Sequence, residues 1–387
     1  MTKRTSTLEA GLENAVARGL PGVVAIAADR DGVIYEGAKG VRRAGDAAPM
    51  AINSVLTLFS CTKPITATAA LQLFEAGRLD LDAPAKLYLP EMRALAVCEG
   101  FNADGTPKLR PPRRDITTRM LLTHSAGMSY DFLNADYARL RARLGAAAGR
   151  GRKAELTLPL IFDPGDAWEY SRSIDWVGLV VEAIAGERLD AVFAERIFGP
   201  LGMTDTGFTL TPAMAERRAS MHAFNAEGEL TPTDFGSVDN PEVLMGGSAL
   251  LGTARDYMRF LRMWLNQGQG ENGRALKAET VAYASRNHLG SLPIRPLPAV
   301  DPARTRSFEF LPGVKKSWAL SFLRLEEEAP SGRAAGSLSW AGLGNLYFWI
   351  DPKNGIAGFW AAQYLPFLHE TALAGFEAFE TEIYRRR

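Results

Sequence analysis

Leu58-Phe59-Ser60-Cys61-Thr62-Lys63-Pro64 contains the one place in 387 residues where a serine stands three positions before a lysine. The stretch opens a strongly helical segment, in which Ala67, Ala70, Leu71 and Phe74 follow at i, i+3, i+4 and i+7 and Gly77 offers a C-terminal cap. Proline is tolerated in the first turn of a helix and not further in, so Pro64 places the helix start near Ser60. Residues three apart on a helix are neighbours, and a serine beside an unprotonated amine is an activated nucleophile. At the positive end of the helix the backbone N–H of Ser60 can face a developing oxyanion, and the dipole pushes Lys63 toward its neutral form. Acyl transfer is the chemistry these features predict.

Outward from this turn, Gly22–Ala28 and Val33–Glu36 flank Asp29-Arg30-Asp31-Gly32 and predict a β-hairpin whose Asp-Gly can take positive φ. Near the other end, β-rich segments run over Trp318–Leu325, Ser337–Trp340, Leu346–Ile350 and Ile356–Trp360, with Asp351–Gly355 as a turn. Leu373, Phe376, Phe379 and Ile383 then stand at helical spacing, with Arg385, Arg386 and Arg387 at the negative end of that helix dipole. Between these ends the pattern is helical, around Ile116–Leu122, Ile174–Ala185 and Ala254–Leu265. The expected fold is α/β (α+β): an antiparallel sheet flanked by helices from both termini, with a mainly helical domain inserted. The boundaries are 1–75 and 308–387 for the sheet domain and 76–307 for the helical one, with the active site between them. Phe101–Asp115 and Gly290–Pro312 read as long surface loops.

Composition narrows the chemistry. Lys plus Arg equals Asp plus Glu at 44 each, so no net field draws the chain to nucleic acid or an anionic membrane. Met1–Thr5 leads into the amphipathic Leu8–Leu12 rather than an apolar signal core, and no apolar run approaches the roughly 20 residues a membrane helix needs. With two cysteines, Cys61 and Cys98, a disulfide framework is not expected, and a cytoplasmic, reducing location is. The four histidines are scattered without the spacing of a metal site, Gly246-Gly247-Ser248-Ala249-Leu250 is not a nucleophile elbow, and no dinucleotide or phosphate loop occurs. Gly246 and Gly247 are expected to permit a tight backbone turn.

The chain resembles the serine hydrolases of the penicillin-recognising fold, which include class C β-lactamases, D-alanyl-D-alanine peptidases and family VIII carboxylesterases. The landmarks are, in order, Leu58–Pro64, Leu121-Leu122-Thr123-His124-Ser125-Ala126-Gly127, Tyr170-Ser171, Pro200-Leu201-Gly202-Met203 and Trp340-Ala341-Gly342. The resemblance implies that Tyr170 stands beside Ser60 and Lys63 and moves the serine proton to the leaving group. Whether Lys63 takes that proton itself or holds Tyr170 anionic stays open. It also implies a second oxyanion donor at or near Leu343, with Trp340 and Gly342 lining the substrate site and His124 in a structural hydrogen-bonding role.

Two departures from the β-lactamase pattern matter. Arg172 follows Tyr170-Ser171 where those enzymes carry the asparagine that holds a substrate amide, and Trp340-Ala341-Gly342 replaces the Lys-Thr-Gly that binds a drug carboxylate. An indole gives an apolar wall in place of a cation. The resemblance therefore implies a serine carboxylesterase for short- to medium-chain neutral esters, a small-molecule substrate, and no cofactor or metal. A β-lactamase or peptidase, an acyltransferase and a non-catalytic scaffold remain as alternatives.

Overall fold

The computed structural model describes residues 3–145, 149, 151–236 and 240–385. Two segments far apart in the chain build one antiparallel sheet. The hairpin supplies β1 (Gly22–Asp29) and β2 (Val33–Gly40). The C-terminal region supplies β3 (Lys316–Trp318), β4 (Leu323–Leu325), β5 (Leu338–Gly342), β6 (Leu346–Asp351) and β7 (Ile356–Ala361). Their order is β2-β1-β7-β6-β5-β4-β3, so the first hairpin closes onto the last strand, with Ile26 opposite Phe359. The hairpin turn differs from expectation. Neither Asp31 nor Gly32 takes positive φ; instead Asp29 Oδ1 accepts from the N–H groups of both, at 3.0 Å each. A side-chain acceptor that satisfies two turn amides removes the need for a left-handed residue.

Strands β5, β6 and β7 are buried along their whole length, so both sheet faces are covered. On one face lie α1 (Lys3–Ala17) and the C-terminal Glu370–Tyr384 helix, where Phe376, Phe379 and Ile383 are buried at the expected spacing. Of the three arginines expected to favour this helix end, Arg385 pairs with Glu382 at 3.6 Å, and Arg386 and Arg387 fall outside the described residues. On the other face lies the Ala254–Leu265 helix, whose Tyr257 ring packs on Phe348 of β6 and Phe359 of β7. The stretch 76–307 thus contributes a helix to the sheet layer as well as the helical region.

The serine segment forms a short 3-10 turn, Phe59–Thr62, that runs directly into α2 (Lys63–Glu75). Helix α3 (Ser173–Ala185) packs beside α2. Both are mostly buried, which accounts for the apolar character of their sequences. Gly77 ends α2 with φ +66° and donates to the Phe74 carbonyl at 3.0 Å. The loop read over Phe101–Asp115 is in fact largely a small hairpin, Val97–Phe101 paired with Pro107–Arg110, held down where Arg110 grips Asp163. Strands of five and four residues give too short an alternation to read, so the pairing was not legible. Gly290–Pro312 contains neither helix nor strand, as expected, and it reaches the cavity through Arg304 and Phe308.

Candidate active site

The 3-10 turn is fixed at several points before any chemistry is considered. Leu58 N–H donates to Leu250, the Leu250 N–H donates to Thr62 Oγ1 at 3.2 Å, and Tyr257 donates its hydroxyl to the Cys61 carbonyl at 3.1 Å. Phe59, immediately before the serine, has φ +47°, a left-handed conformation that costs a bulky residue on the order of 1–2 kcal/mol. Such strain persists only where surrounding contacts over-determine the backbone. Here Phe59 is buried and packs on Phe235, with ring centroids 5.9 Å apart.

This anchored turn brings Ser60 Oγ to 3.1 Å from Lys63 Nζ. Lys63 is buried, donates to the Gly247 carbonyl at 2.8 Å and lies 3.0 Å from the Tyr130 hydroxyl. Gly247 is held by its own N–H, which donates to Asp175 Oδ1 on α3 at 2.7 Å. A Cβ on Gly247 would stand 2.9 Å from that oxygen and 3.4 Å from Lys63 Nζ. The glycine pair does lie in a turn, but its stronger requirement is this close approach, since neither residue has positive φ.

Tyr170 lies in the same cluster. Its ring is 4.7 Å from that of Trp340 and 4.9 Å from Lys63 Nζ. Its hydroxyl is buried and makes no hydrogen bond of normal geometry. Burial pushes the phenol well above its ordinary value, and the nearby Ser60 and Trp340 side chains only partly offset this, so Tyr170 carries its proton at neutral pH. The segment that positions it runs beside the His124–Gly127 landmark: the Glu169 N–H donates to the His124 carbonyl at 2.9 Å and the Ile161 N–H to Gly127 at 2.7 Å. His124 is fully buried, its Nδ1 accepts the Ser171 N–H at 3.3 Å, and desolvation holds it neutral. Its ring lies 4.8 Å from that of Tyr170.

These groups open into a cavity of about 300 Å³ lined by Ser60, Tyr130, Tyr170, Trp340, Gly342 and Leu343 among others. Trp340 is buried within a cluster of rings, 4.7 Å from Trp318 and 5.3 Å from Phe310, and forms an apolar wall with Phe59, Phe235 and Phe308. Gly342 has a second role in packing, because a Cβ there would come within 2.6 Å of the Leu58 carbonyl. The bare backbone of β5 can therefore lie against the serine turn. Leu343 follows β5 directly at the cavity wall.

Arg172 lies buried at the cavity wall, its guanidinium engaged by acidic side chains. It donates to Glu155 Oε2 at 3.0 Å, and Glu155 also holds Arg141 at 2.7 Å. Arg304 reaches the same group through Asp131 at 2.8 Å. These ion pairs line one side of the cavity. Sequence reasoning missed Tyr130 altogether. Its only signal was its position three residues beyond the Leu121–Gly127 landmark, and nothing in Ser129-Tyr130-Asp131 says that the phenol turns toward Lys63. Among the described residues no group of three metal-binding side chains occurs, and no helix is long and apolar enough to cross a membrane.

Comparison with known proteins gives the family. The chain is 33% identical over 389 aligned positions to a lovastatin esterase of Penicillium rubens, covering 94% of each chain. It is 32% identical to a monacolin J acid methylbutanoyltransferase of Aspergillus terreus, covering 90% of this chain and 88% of that one. The solved structure of simvastatin synthase from Aspergillus terreus superposes with a TM-score of 0.85 at 30% identity, covering 100% of this chain and 99% of the other. A family model described as Beta-lactamase matches residues 7–380. A serine three residues before a buried lysine, a phenol over that lysine and a match along nearly the whole chain lead to one conclusion: the protein belongs to the beta-lactamase family of serine hydrolases and acyltransferases.

Proposed function

We propose that this protein is a serine carboxylesterase that hydrolyses short- to medium-chain neutral esters through an acyl-enzyme on Ser60. The observation that carries the reading is the 3.1 Å separation of Ser60 Oγ and Lys63 Nζ beside a largely apolar cavity. Lys63 takes the serine proton as Oγ attacks the ester carbonyl. Tyr170, kept protonated by its burial, serves as an O–H partner beside Ser60 in place of a phenolate base. The N–H groups of Ser60 and Leu343 are assigned to the oxyanion and the Trp340 wall to the neutral substrate. Water then releases the acid. Two buried cysteines without a disulfide fit a cytoplasmic setting.

Likeness to a protein called a methylbutanoyltransferase supports a second outcome, in which an alcohol replaces water as acceptor. Incubation with nitrophenyl acetate, nitrophenyl butyrate and a chromogenic cephalosporin, each with and without added alcohol, tests both readings. Ester turnover that falls at least about 10³-fold in Ser60→Ala is expected. A new ester formed in place of free acid identifies the acceptor as alcohol. Efficient cephalosporin opening with negligible ester turnover refutes both.

A further inference from the structure

Lys63 Nζ touches two hydroxyls at nearly equal distance, Ser60 at 3.1 Å and Tyr130 at 3.0 Å. The Tyr170 hydroxyl, by contrast, is buried and makes no hydrogen bond of normal geometry. A proton that reaches Lys63 from Ser60 therefore has a hydrogen-bonded way onward through Tyr130. Tyr130 is only half-buried and lines the same cavity as Ser60, so its hydroxyl is open to an alcohol or water held there. Its ring is held in place. It stacks on Phe132 at 4.9 Å and 25°, with the Lys63 ammonium position 5.3 Å and the Arg172 guanidinium 5.5 Å from its centroid. Arg172 is itself fixed by Glu155. Two cationic side chains at that range favour negative charge that develops on the ring oxygen as a proton passes through it.

We propose that Tyr130 is a second catalytic phenol, which relays the proton between Lys63 and the oxygen of the departing alcohol or incoming acceptor, leaving Tyr170 to serve Ser60. This rests on the Ser60 acyl-enzyme reading above. In acylation the Ser60 Oγ–carbon bond forms, the Ser60 proton moves to Lys63, and the carbon–alkoxide bond breaks. The alkoxide takes the Tyr130 proton, and Tyr130 recovers one from Lys63. In deacylation water or an alcohol attacks and gives its proton to Tyr130, whose own proton passes to Lys63. Ser60 leaves the acyl carbon and takes that proton back. Every group ends as it began.

The relay makes demands that differ between substrates. A nitrophenolate leaves without protonation, whereas an alkoxide needs a proton donor, and deacylation by water needs an acceptor for its proton. Tyr130→Phe should therefore retain a nitrophenol burst near one equivalent per chain while its steady-state turnover falls about 100-fold. On an alkyl butyrate, acylation itself should fall by a similar factor, so that the ratio of alkyl to nitrophenyl kcat/KM drops at least about 10-fold. Tyr130→His, which restores a proton-carrying group, should recover part of the alkyl-ester rate and guards against a folding defect in the first variant. Equal losses in kcat/KM on alkyl and nitrophenyl esters in both variants, or rates within about twofold of the parent, would overturn the relay. Failure of the parent protein to form any Ser60 adduct by intact mass would instead sink the acyl-enzyme reading.

Discussion

Lys63 is where the chemistry and the packing meet, since it is buried and its amine is in contact with a serine hydroxyl, a phenol and a carbonyl at once. Replacing it with methionine keeps most of the stem and removes the nitrogen, so it separates the proton-handling role from the packing role. Lys63→Met is expected to stay folded by circular dichroism and lose about 10²- to 10⁴-fold in nitrophenyl butyrate turnover. Activity within a factor of a few of the parent would mean that the serine proton goes elsewhere. At this scale much was legible: Ser60 and Lys63 stand out once their spacing is read together with the later landmarks, and Pro64 fixes where the helix must start. Tyr130 was not legible, because a phenol's role is set by where its ring points and the fold alone decides that. Arg172 was legible as a departure, while its partners Glu155 and Asp131, 17 and 41 positions earlier in the chain, were not.

Elements meet around that amine in a way that leaves no spare room. The start of α2 supplies Lys63, α3 supplies Asp175, and the Gly246-Gly247 turn passes between them. Gly246 is so close to α2 that a Cβ there would stand 3.0 Å from the Thr66 side chain. Gly247→Ala should therefore act on catalysis through position, pressing on Asp175 and Lys63 together. The expected result is a loss of at least about 10-fold in kcat for nitrophenyl butyrate with little change in KM. A melting temperature within a few degrees of the parent would place the effect in the site. A parallel rise in KM with unchanged kcat would contradict this. Long elements with strong periodicity were readable, and the Ala254–Leu265 helix spans the residues its pattern indicated. Its place on the sheet face was not readable, because periodicity identifies an apolar stripe without naming what covers it. The same limit hid the Val97–Arg110 hairpin, which is also held by the Arg110–Asp163 pair, a contact between residues far apart in the chain.

Across the whole molecule the histidines share one property. His124, His222, His288 and His369 are all held below the ordinary imidazole range, each chiefly by desolvation. The unfolded chain binds a proton at each as pH falls through about 6.5, ahead of the folded chain, so the histidines' contribution to folding stability decreases over that interval. For His124, which is fully buried, the loss by pH 5.5 is on the order of 1 kcal/mol. In a nuclear magnetic resonance titration from pH 7.5 to 5.5 the His124 imidazole should stay neutral, and its protonation within that range would contradict the assignment.

The sheet that supports the site joins Ile26 to Phe359, and the cavity takes residues from position 59 to position 367. Nothing local can therefore be catalytic on its own. The first strand must wait for the last before the serine turn has a floor beneath it, and pairings that span most of a chain form late. Returning enzymatic activity is thus a stopwatch for the final stage of assembly: in a renaturation experiment helical signal should recover first, and ester cleavage only when the two ends of the polypeptide have met.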